Sequence, residues 1–160
     1  MTTIAYKNGL MAADSACSDE EQILSNRAQK IYRLKSGGLL GHAGDADNRQ
    51  LIDLLDDVKT PKGLPSRPDI IKTFLNFSAI LVLPKGKVYH VFLDAPHEES
   101  ANGRWDGGLY EISDGYFAVG SGAVSALSAM DAGASARDAV LIACKRDFYT
   151  RSPVHVVPLK

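Results

Sequence analysis

Met1-Thr2-Thr3-Ile4-Ala5-Tyr6-Lys7-Asn8-Gly9-Leu10-Met11-Ala12-Ala13-Asp14-Ser15 is the stretch on which the reading of this chain turns. Residues 3–10 read as a strand entering the Asn8-Gly9 turn, a strong short-range hairpin signal, and residues 10–13 as the returning strand. Such a hairpin carries Asp14 back beside the N-terminus. Thr2 is small, so a cytosolic methionine aminopeptidase is expected to remove Met1 and leave a threonine with a free α-amine. A threonine hydroxyl is a weak nucleophile that needs a base, and an α-amine with an ordinary pKa of about 7.7–8.0 can be that base. One residue then holds both groups. The plain alternative is that Thr2 and Thr3 only open an edge strand.

Length and composition bound the possibilities. The 160 residues fit one domain, 1–160, and a chain of this size buries about 70% of the surface its unfolded form exposes. Hydrophobic residues make up 45% and charged residues 23%, and the net charge is −1, which gives no reason to expect nucleic acid as a partner. No apolar run of 18 residues or more is present, and the N-terminus has no secretory pattern, so neither membrane insertion nor export is expected. Cys17 and Cys144 are too few and too far apart for a disulfide framework, and the cytoplasm is the expected compartment. His42, His90, His97 and His155 lack metal-ligand spacing, so no metal or other cofactor is expected.

Further along the chain, the polar residues 15–27 read as an exposed loop. Strands are expected over 28–34 and 39–44 around Gly37-Gly38, and an amphipathic helix over 47–58 on Leu51, Ile52, Leu54, Leu55 and Val58. A second helix is expected over 68–77, then strands over 78–83, 88–93, 109–112 and 116–119. Trp105 sits in a glycine-containing loop over 94–108, as a binding handle or as an aromatic covered by its own loop. Gly120-Ser121-Gly122 leads into a helix that runs to Met130. Ser135-Ala136-Arg137-Asp138 starts another, which continues to about Lys145, and residues 153–159 form the last strand.

The Thr-Thr-Ile opening, its turn and the small-small-Asp-Ser ending resemble the start of a mature proteasome β subunit or of the bacterial peptidase HslV. Lys30 in Gln29-Lys30-Ile31, the Ala43-Gly44 turn, the Ala118-Val119-Gly120-Ser121-Gly122 stretch and Asp147-Phe148-Tyr149-Thr150 fall in that family's order. The chain is one residue shorter after Gly44 than most relatives. Its length is most similar to the compact HslV-like proteins of phage and prophage.

The resemblance implies an α+β fold, the four-layer αββα sandwich of N-terminal nucleophile (Ntn) hydrolases, with two antiparallel sheets flanked by helices. It implies that Thr2, Asp14, Lys30, Gly44, Ser121, Asp147 and Thr150 form the catalytic set, with Gly44 N–H facing the oxyanion. Ala28, Tyr32 and His42 are the candidate substrate-binding residues. It further implies a threonine endopeptidase of peptides or unfolded proteins, working as a homo-oligomeric ring or double ring. The helices over 47–77 are shorter than in relatives, which leaves the subunit number open. The chain has no phosphate-binding loop, so any ATP would be used by a separate AAA+ unfoldase. Because no pro-segment is expected before Thr2, enclosure in a ring is also the expected safeguard. Two other readings stay open: an amidase of the same superfamily acting on a non-protein amide, and a non-catalytic ring or assembly protein that retains Met1.

Overall fold

The computed structural model describes residues 1–18, 22–96 and 104–160. Its organising unit is the N-terminal hairpin, β1 (Thr3–Lys7) and β2 (Leu10–Asp14), which pairs Ile4 with Ala13 and Lys7 with Leu10. Asn8 and Gly9 both have positive φ, 51° and 77°, the mirror-image turn whose twist matches two antiparallel strands. β10 (Phe117–Gly120) adds to the β1 edge and β11 (Val154–Pro158) to the β2 edge, giving a four-stranded sheet in the order β10-β1-β2-β11.

A five-stranded antiparallel sheet follows the order of the chain: β5 (Ile31–Arg33), β6 (Leu39–Gly44), β7 (Phe77–Val82), β8 (Val88–Asp94) and β9 (Asp106–Glu111). The alternation along β7 divides its residues between two cores. Ile80 and Val82 meet Ile4, Tyr6 and Met11 of the hairpin, whereas Phe77, Ala79 and Leu81 turn to the opposite face. That face is covered by Leu51 and Leu55 of α1 (Arg49–Leu55) and Ile70 of α2 (Arg67–Ile71). On the outer side of the four-stranded sheet, Ala5, Ala12 and Ala118 pack against Ala126 and Met130 of α3 (Ala123–Asp131) and Ala139, Val140 and Ala143 of α4 (Ala136–Arg146). The small side chains allow helix and sheet to approach closely.

Several local expectations are corrected. Residues 15–27 are not simply a loop, because β3 (Cys17–Ser18) and β4 (Ile23–Ser25) pair as a third, two-stranded sheet, where two sheets were expected. The strand expected over 28–34 begins only at Ile31. The helix expected over 68–77 stops at Ile71, since Phe74 takes φ +51° and Phe77 already belongs to β7. A capping box between Ser66 and Asp69 fixes the start of that helix. Trp105 is half-buried against the core on the α1–α2 side and meets Phe74 edge to face at 5.8 Å. Cys144 is half-buried and packs against the alanine-rich core between α4 and the sheet. His97 lies outside the described residues.

Candidate active site at the N-terminus

The hairpin sets the site because its register returns Asp14 to the level of Thr3. Asp14 is fully buried, and a buried carboxylate is tolerated only when its oxygens are paired. Its Oδ1 accepts from Thr3 N at 2.8 Å and from Lys30 Nζ at 2.9 Å, and its Oδ2 accepts from Ala16 N at 3.1 Å and Arg151 N at 3.3 Å. Lys30 is almost as deeply buried, with 7% of its side chain exposed. Burial pushes its ammonium below the ordinary lysine value, against the opposing pull of the Asp14 charge. The same ammonium donates to the Met1 carbonyl at 3.3 Å, so a buried cation lies against the Met1–Thr2 peptide.

A second cluster approaches from the α3 and α4 side. Pairing of β1 with β10 places Gly120 opposite Thr3, which brings Ser121 and Gly122 to the start of the hairpin. Gly120 must lack a side chain, since a Cβ there would lie 1.8 Å from the Thr2 carbonyl oxygen. Ser121 Oγ donates to Asp147 Oδ2 at 2.6 Å and reaches the Thr2 carbonyl at 3.5 Å. Thr150 Oγ1 also donates to Asp147 Oδ2. Burial raises the Asp147 pKa, but the bonds from Ser121 and Thr150, with the nearby positive chain terminus, outweigh it and hold the carboxyl below its ordinary value.

Thr3, which the sequence marks only as a strand residue, belongs to this network. Because the Thr150 proton is committed to Asp147, the Thr3 hydroxyl donates to Thr150 Oγ1 at 2.6 Å and accepts from Gly122 N at 3.1 Å. The only hint in the sequence is the doubled threonine, and the partners of the Thr3 hydroxyl lie more than a hundred residues away.

Thr2 lies between the two clusters, 8% exposed, at the edge of a cleft of about 370 Å³. Lys30, Gly44, Ala28, Tyr32 and His42 line the same cleft, so all three candidate substrate-binding residues are brought beside Thr2. Met1 and Ser18 line it as well, and the Met1 amine donates to Ser18 Oγ at 3.1 Å. Gly44 is packed so tightly that a Cβ would fall 2.2 Å from Asn76 O, so its backbone can be presented at the cleft only by glycine. The chain then passes through Asp47, whose Oδ1 accepts from Arg49 N at 3.3 Å, into α1, two residues later than the start expected at 47. The Tyr32 hydroxyl donates to Gln29 O at 2.9 Å, which fixes its ring at the wall.

This arrangement is a mixed α and β fold with a threonine next to the N-terminal methionine, a buried lysine–aspartate pair on one side and a serine–aspartate–threonine network on the other. Among solved structures the chain is similar to HslV from Trypanosoma brucei, with a TM-score of 0.64 over 98% of both chains and 19% identity. It is also similar to Thiobacillus denitrificans BPH in complex with epoxomicin, with a TM-score of 0.60 over 99% of this chain and 98% of that one and 22% identity. The fold is therefore proteasome- and HslV-like. No family model matches the chain. A serine–tRNA ligase of Prosthecochloris aestuarii matches 72 residues at 33% identity, and this chain spans 17% of that protein's length, too small a share to carry a functional reading.

Proposed function

We propose that the chain is a threonine endopeptidase that acts through Thr2 once Met1 has been removed. The observation that carries this reading is the place of Thr2 in a cleft also lined by Lys30, which is paired to Asp14, with Ser121 of the Ser121–Asp147–Thr150 network 3.5 Å from the Thr2 carbonyl. In the reaction, Thr2 Oγ1 attacks a substrate carbonyl carbon and its proton passes to the Thr2 α-amine, directly or through a water. The charge that develops on the carbonyl oxygen is met by the Gly44 N–H. The tetrahedral species collapses, the peptide C–N bond breaks, and the departing amine takes the proton held by the α-ammonium. Water then hydrolyses the Thr2 ester by the same proton path in reverse. Lys30 lowers the cost of negative charge at Oγ1 and favours the neutral amine, and Ser121, Asp147 and Thr150 hold the amine in place.

The same reading treats residues 1–160 as one domain and the packing order of helices, sheet, sheet and helices as a four-layer sandwich. It places the protein in the cytoplasm, in a closed ring or double ring with the Thr2 sites facing inward. Enclosure restricts an otherwise unselective peptidase to chains threaded in, and a separate ATP-driven unfoldase would supply them. Closed symmetry is the common outcome for homo-oligomers. Unfolded casein offered to the protein tests both parts together. Casein should be cut to short peptides, and native mass spectrometry of the same sample should give a species at a multiple of the 17.2 kDa subunit. Intact casein, or full activity in a monomer, would overturn the corresponding part.

A further inference from the structure

We infer that the cleft beside Thr2 accepts a cationic substrate side chain, the guanidinium of arginine or the ammonium of lysine, through Asp45 and His42. This deepens, and rests on, the peptidase reading. Lys30 is neutralised by Asp14 at 2.9 Å, and Arg49 by Asp47 at 2.7 Å, whereas Asp45 lines the cleft with no cation paired to it among the described residues. One of its oxygens, Oδ2, accepts from Asn76 N at 2.7 Å, which orients the carboxylate while Oδ1 keeps acceptor capacity.

His42 lines the same cleft and is 6% exposed, and its Nε2 is the buried side-chain nitrogen or oxygen among the described residues that has no hydrogen-bond partner. Burial pushes its imidazole down to about 4 against a smaller opposing effect of Asp45, so the ring is uncharged at neutral pH. A cationic guest beside Asp45 selects the tautomer with the ring proton on Nδ1, which leaves Nε2 as an acceptor. An acceptor nitrogen and an unpaired carboxylate together match a group that carries donors and positive charge. A guanidinium or ammonium has donors and no acceptor. A carboxylate side chain would instead meet the like charge of Asp45, and an aliphatic one would leave Nε2 unpaired.

Three peptides that differ only in the residue before the scissile bond, arginine, leucine or glutamate, test this. Arginine should exceed leucine in kcat/KM by about tenfold, with glutamate lowest. Asp45→Asn, an isosteric change at an exposed position, should lower the arginine-to-leucine ratio by most of that factor. Calorimetric binding of uncleaved arginine and norleucine peptides to Thr2→Ala protein should follow the same order. A preference for leucine or glutamate, or an arginine-to-leucine ratio unmoved by Asp45→Asn, would overturn the inference. If no peptide is cut but the binding order holds, the peptidase reading fails and the cationic site stands. If peptides are cut without that order, the cationic site fails and the peptidase reading stands.

Discussion

Replacing Thr2 with alanine is expected to bring peptide hydrolysis to background, a loss of at least about 10⁴-fold, while the melting temperature changes by only a few degrees. The loss is large because the substitution deletes the attacking oxygen, and members of a catalytic unit fail together rather than in proportion. Alanine is as small as threonine at the position after Met1, so removal of the methionine is expected to continue and the α-amine to remain. The fold is spared because the hairpin is tied down by the next residue. Thr3 N donates to Asp14, and the Thr3 hydroxyl bridges Thr150 and Gly122. Hydrolysis at the unsubstituted rate in Thr2→Ala protein would remove Thr2 from the mechanism.

Lys30→Met should lower hydrolysis at least a hundredfold, equivalent to losing a transition-state contact of about 3 kcal/mol. Methionine keeps much of the buried stem and deletes the charge. Asp14 then loses its cation but retains three backbone donors, Thr3 N, Ala16 N and Arg151 N, so its carboxylate stays paired and the protein stays folded. The opposite substitution, at Asp14, would strand a buried ammonium and confuse stability with catalysis. Circular dichroism and peptide hydrolysis on the same Lys30→Met sample separate the two. An unchanged rate would make Lys30 a purely structural cation.

How much of this was legible in the sequence follows from the range of the interactions. Asn8-Gly9 states its own turn between two short strand-like runs, so the return of Asp14 to the N-terminus could be read directly. The helix at 136–146 was equally legible, because Ser135 caps it by accepting from Asp138 N at 3.1 Å. Lys30, Gly44, Ser121, Asp147 and Thr150 have no such local signal and were reached through resemblance. The structure brings Lys30 and Gly44 to the Thr2 cleft and links Ser121 to the Thr2 carbonyl.

What could not be read depends on tertiary partners. β3 and β4 are two and three residues long in a polar stretch, without the alternation that marks a buried strand. The end of α2 is set by where Phe77 enters the sheet beside Gly44, which overrides the apolar continuation through Phe74 and Leu75. Thr3 shows its role only once Gly122 and Thr150 stand beside it. The unpaired Nε2 of His42 likewise exists only in the folded cleft.

The central claim is that Thr2 works with its own free amine. Intact mass and N-terminal sequencing of protein that hydrolyses peptides, purified from its own host, test this most directly. A chain that begins at Thr2 is the predicted result, because a retained Met1 would make that nitrogen an amide without basicity. Active protein in which Met1 is fully retained would contradict the account.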